Sequence, residues 1–194
     1  IRMHYRPGDF LREGAILAEA WLPQDISEEA SEQLSRDVNE AVIVGMRRTP
    51  RQDVQCAINE LVEVAVRSLS PGINDPFTAI NCVDSLSAAL CRLAQRRMPQ
   101  QVRCDGNGRL RVIVARPTTF PDVLDDSLDQ IRQYGRDSVG VTLRLLEGLC
   151  EIARCTTREE DKAALQRQAE RIFRSGMEAL TEECDRAEVQ QRRT

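Results

Sequence analysis

Apolar residues recur along this chain mainly at helical spacing. Val54, Ile58, Leu61, Val62, Ala65 and Leu69 fall on one stripe, while Gln52, Asn59, Glu60, Glu63 and Arg67 share the opposite side, the signature of an amphipathic helix. After Pro71-Gly72 interrupts it, a second stripe follows in Ala79, Val83, Leu86, Leu90, Leu93 and Ala94. Local start signals frame both. Thr49-Pro50-Arg51-Gln52 has the form of a capping box with proline at the first helical position, and Asp75-Pro76 supplies an N-cap and a second such proline, for a helix reaching about Arg97. The short link predicts that these two helices are neighbours. An earlier helix is predicted from Ser27 to about Val44, with Glu28 and Glu29 suiting its dipole and Gly45 ending it. Three later helices are predicted over Pro121 to Tyr134, Asp137 to Arg154 and Arg158 to Ala187. The middle one is apolar nearly all round, which predicts a central, buried position.

Two stretches break this rhythm. Ile1 to Trp21 reads as a small β element with turns at Arg6-Pro7-Gly8-Asp9 and Glu13-Gly14, and Leu110 to Val114 is a β-branched strand after the turn Asp105-Gly106-Asn107-Gly108. That turn also matches the start of a calcium loop, but the later ligands are absent and the plain turn is preferred. An isolated strand would leave its backbone groups unpaired, so the strand near 109–115 is expected to pair with the N-terminal segment. The N-terminal pattern resembles the hammerhead loops of biotinyl and lipoyl domains, without their cofactor-bearing lysine, and implies a shared structural solution with no cofactor. The expected fold class is therefore mostly α: a helical bundle with a small hammerhead-like β element. The division expected is a β segment over 1–22 and a helical domain over 23–190 with a turn and strand inserted at 104–115, together forming one compact unit.

Composition narrows the chemistry. A hydrophobic content of 41% over 194 residues supports an ordinary folded core. The 27 basic and 31 acidic residues are interspersed and aromatics are only 4%, which argues against a nucleic-acid surface. Lys162 is the only lysine and His4 the only histidine, so a P-loop, a Schiff-base lysine, a two-histidine zinc site and a Ser-His-Asp triad are all disfavoured. The seven cysteines form no C-x-x-C pair and are read as free thiols, which suits a reducing compartment. No cofactor and no metal site is expected. No apolar run approaches the length of a membrane span. The chain opens at Ile1, not at methionine, directly into strand-like sequence, so a preceding segment is expected.

One stretch carries a resemblance. Arg48-Thr49-x-x-Gln52-Asp53, followed by Arg67-Ser68-Leu69-Ser70-Pro71-Gly72-Ile73-Asn74-Asp75-Pro76-Phe77-Thr78-Ala79, resembles the bacterial family of predicted membrane proteins known as domain of unknown function 2254. Ser68 replaces the alanine usual there, and Arg6-Pro7-Gly8-Asp9-Phe10 matches an upstream turn of the family. The similarity is good over roughly residues 5–97. It implies transmembrane helices before Ile1 and a large soluble C-terminal domain, but no activity.

Arg48, Gln52, Asp53, Arg67, Asn74 and Asp75 are the candidate contacts for a ligand or partner. Ser70 to Pro76 can be a plain helix-to-helix connection, with Gly72 at positive φ, Asp75 capping and Arg67 pairing with Glu63. It can also bind a small anion or cation beside a helix N-terminus. Asp53 and Arg67 stand about 21 Å apart along one predicted helix, too far for a single small site there. The leading expectation is a regulatory or assembly domain of a bacterial inner-membrane protein, lying in the cytoplasm, forming a homo-oligomer and meeting its own transmembrane segment. A metal-assisted hydrolase built on Asp53, Glu60, Glu63, Asp75 and Asp84 is the alternative, and requires three of these carboxylates to converge. A gating domain of a transporter or channel is the third.

Overall fold

A computed structural model describes residues 1–22 and 26–192. The chain divides into two compact units, residues 1–53 with 99–117, and residues 54–98 with 118–194. That boundary runs elsewhere than the one drawn from the sequence at residue 22.

The first unit is built on a four-stranded sheet. Strands β1 (Arg2–Met3), β2 (Ala18–Glu19), β3 (Val102–Cys104) and β4 (Leu110–Val114) lie in the order β2-β1-β4-β3. β1 pairs antiparallel with β2 and parallel with β4, Arg2 opposite Ile113, so the expected pairing of the N-terminal segment with the 110–114 strand holds. β3 and β4 form a hairpin with an irregularity at Arg103/Cys104. Asp105 shapes its turn: one carboxylate oxygen accepts from the amides of Asn107 and Arg109, both at 2.9 Å, and the other from Arg111. These bonds, the Arg109 amide foremost, hold the Asp105 carboxyl below its ordinary pKa. The carboxylate is thus occupied by its own turn, and the calcium-loop likeness ends there. Helix α1 (Glu28–Glu40) follows its Ser27 cap but stops before Gly45, at Ala41.

The second unit is a bundle of six helices: α2 (Val54–Ser68), α3 (Pro76–Ala94), α4 (Phe120–Tyr134), α5 (Val139–Ala153), α6 (Glu159–Ala179) and α7 (Glu183–Gln191). Every buried apolar side chain among the described residues belongs to it. α5 is central as expected, packing on α3, α4, α6 and α7. Small residues set its closest approaches. A Cβ at Gly148 would overlap Ser87 Oγ of α3, and one at Gly176 of α6 would come within 2.9 Å of Thr142 of α5. Bulky Gly148 variants should therefore force α3 and α5 apart, and Gly148→Leu is expected to cost about 1–3 kcal/mol by overpacking, read as a lower midpoint in urea.

Two predicted boundaries and one turn conformation need correction. α2 begins at Val54, not in the Thr49 capping box, and Val54 is largely exposed. The Arg158 to Ala187 helix is two: Leu180 turns to extended backbone at ψ 129° and is itself buried, so its side chain enters the core while the chain bends into α7. Gly72 does not take positive φ; Asn74 does, at 50°.

Candidate functional site

In the first unit the structure joins Arg48, Asp53 and the Arg6-Pro7-Gly8-Asp9 turn. Asp53 is 5% exposed, and its Oδ2 accepts from Arg48 Nε at 2.7 Å and lies 2.6 Å from Nη2. A buried carboxylate requires such a partner. The turn closes as expected, with the Asp9 amide donating to the Arg6 carbonyl at 3.1 Å and the Arg6 amide to Asp9 Oδ2 at 3.0 Å. Gly8 stands at φ +91°, and a Cβ there would fall inside contact distance of the Asp53 carboxylate and 3.0 Å from Arg48 Nη2. The turn thus lies directly on the ion pair. Arg116 approaches Asp9 at 3.9 Å. Gln52 is exposed. Sequence reading singled out Arg48 and Asp53 but not Gly8 as their neighbour; a glycine–aspartate turn alone does not reveal what it packs against.

The second unit holds Arg67, Asn74 and Asp75. Arg67 pairs with Glu63 on an exposed face of α2, as the spacing predicts. The corner after α2 is closed by its own backbone: the amides of Ile73 and Asn74 donate to the Ser70 carbonyl at 3.0 and 2.8 Å, and that of Asp75 to Ser68 at 2.8 Å. Asn74 fits its left-handed φ because asparagine tolerates that region better than branched residues do. Asp75 caps α3, accepting from the Thr78 hydroxyl at 2.5 Å and the Thr78 amide at 3.1 Å. Those bonds, hydroxyl first, lower its pKa from the ordinary 3.8. A carboxyl whose folded pKa is depressed contributes stability above the unfolded value, lost as pH falls through the folded one. The margin of the native protein over Asp75→Asn should accordingly shrink in thermal melts as pH drops below 3.8. A pH-independent margin would count against the cap.

The carboxylates proposed for metal chemistry do not converge. Asp53 is held by Arg48, Glu63 by Arg67, Asp75 by Thr78 and Asp84 by Arg144, and Glu60 is exposed. Among the described residues, no three histidine, cysteine or acidic side chains are placed to hold a metal. An open groove of about 270 Å³ lies along α5, lined by Arg144, Glu147, Cys150, Glu151, Arg154 and Arg192. Its charges engage one another, Arg144 reaching Glu147 at 3.2 Å and Glu151 at 3.5 Å while Arg192 meets Glu147. All seven cysteines are free thiols. Burial, reinforced by a hydrogen bond with Cys155, pushes the Cys91 thiol up to about 11, which makes it a poor nucleophile at neutral pH.

The family model described as "Predicted membrane protein (DUF2254)" matches residues 1–151. Uncharacterized proteins of Mycobacterium tuberculosis and Mycobacterium bovis are each 32% identical over 182 residues, covering 94% of this chain and 35% of their own length. The chain thus spans about a third of the curated relatives it matches. No solved structure matches. No helix among the described residues is long and apolar enough to cross a membrane. With the Arg48–Asp53 and Ser70–Pro76 motifs in place, the matched stretch leaves one assignment: the chain belongs to the DUF2254 family of predicted membrane proteins.

Proposed function

We propose that this chain is a regulatory or assembly domain of a bacterial inner-membrane protein, lying on the cytoplasmic side and working as a homo-oligomer. The observation that carries the reading is the uneven coverage of apolar surface. The second unit buries most of its large apolar side chains, leaving Val54, Val64, Ile73, Phe77 and Tyr134 exposed, whereas the first buries none of its own and exposes Phe10, Ile16, Trp21, Ile43, Val44 and Met46. Soluble monomers rarely show apolar residues so concentrated unless they meet something. The polar groups of the candidate sites, in contrast, are engaged with one another, which suits a contact scaffold. Seven free thiols fit a reducing compartment.

Light scattering after size exclusion checks the reading directly. A dimer or larger species is expected at micromolar concentration, and a strict monomer throughout that range overturns it. The full-length protein should also sediment with inner membranes and resist extraction at alkaline pH; release by that treatment would defeat the membrane assignment.

A further inference from the structure

We infer that α1 is the self-association element, pairing antiparallel with α1 of a second copy. The inference rests on the proposal that the chain self-associates, and adds which surface does it. α1 has no buried residue and no extensive packing against another helix or strand among the described residues. Ser27 caps it and Gln33 bonds Asp37 along its exposed side, so it is a defined helix whose apolar stripe is only partly covered. Leu34, Val38 and Val42 repeat at four-residue spacing and are the only half-buried positions between Glu28 and Glu40 and just beyond, forming one narrow apolar stripe. A helix of thirteen residues is about 20 Å long, and two of them alone bury less than the roughly 1,200 Å² of a stable interface. Ile43, Val44 and Met46, exposed immediately after the helix, extend the face.

Charge selects the occupant. α1 carries Glu28, Glu29, Glu32, Asp37 and Glu40 against the single Arg36, whereas Arg47 and Arg51, both exposed, follow it. An antiparallel pairing centred near Val38 lays the acidic first turns of one copy toward the Arg47–Arg51 end of the other, twice by symmetry. A parallel pairing sets acid on acid. An anionic bilayer repels the helix for the same reason.

Complementary charge reversal on the full chain tests the inference. One variant carries Glu28→Arg, Glu29→Arg and Glu32→Arg; the other carries Arg47→Glu and Arg51→Glu. All five residues are exposed, and Arg48, which holds Asp53, is left alone. Each variant by itself should self-associate at least about tenfold more weakly than the native chain, with unchanged circular dichroism, and an equimolar mixture should recover native affinity as a mixed dimer. Native-strength association of the single variants overturns the α1 assignment while self-association stands. A native chain that is monomeric overturns the underlying proposal, and sedimentation of the native chain with anionic vesicles in place of dimerisation assigns α1 to lipid and overturns the inference.

Discussion

Gly8→Ala is expected to loosen the whole first unit. The position combines two penalties. Its φ of +91° lies where an L side chain is strained, at about 1–2 kcal/mol, and the new methyl group would meet the Asp53 carboxylate, adding ~1–3 kcal/mol of overpacking. Asp53 has little room to retreat, because it is buried and held by Arg48. The sheet offers a local readout: the Ile113 amide donates to the Ile1 carbonyl at 2.8 Å and the Ala115 amide to Met3 at 3.0 Å. Hydrogen exchange of these amides should accelerate while α3 and α5 stay protected. Gly14→Ala is the control, since Gly14 also has positive φ, +76°, but open space around it, so it incurs only the backbone penalty. Adding Asp53→Ala to Gly8→Ala should recover part of the steric loss. Equal exchange in the two glycine variants would show that the turn does not press on the ion pair.

That pair also explains why one boundary escaped sequence reading. Thr49, Pro50 and Gln52 satisfy a local rule for starting a helix, a cap of about 1 kcal/mol, but Asp53 is instead buried in the first unit against Arg48, and a local cap signal does not report such a contact. α3 was legible because nothing competes with its local signal: Asp75 caps, Pro76 follows, and the stripe from Ala79 to Leu90 is the face that is buried. The α6–α7 break was hidden because apolar spacing continues across it. Leu180, just past the end of α6, and Val189, on α7, both reach the core, and periodicity reports which residues are buried, not whether the backbone between them bends. Gly72 and Asn74 show the same limit in a turn, where composition places a left-handed residue within two positions but does not choose between glycine and asparagine. The candidate site was legible as residues and not as an arrangement. Arg48 and Asp53 could be named from the motif, whereas their contact with a turn forty residues upstream depends on the sheet that brings residues 1–19 into the first unit.

Phe120 and Phe77 separate core from contact surface in the second unit. Phe120 is 1% exposed at the first position of α4, and the Arg158 guanidinium lies 5.9 Å from its ring centre. Arg158 is fixed there by Asp161 at 2.8 Å and by the Arg96 carbonyl at 2.7 Å, so the surroundings cannot collapse freely into a void. Phe120→Ala should cost about 3–5 kcal/mol, seen as an early loss of helical signal in urea. Phe77, in the Asn74-Asp75-Pro76-Phe77 motif, is 76% exposed. Its truncation should change stability by no more than about 0.5 kcal/mol. An exposed phenylalanine beside a corner whose polar groups are already engaged offers apolar contact and little else. A photoreactive residue at position 77 should therefore crosslink to a partner when the protein is irradiated in cells. Failure to crosslink there, with folding intact, would mark the Ser70–Pro76 corner as a helix connection alone.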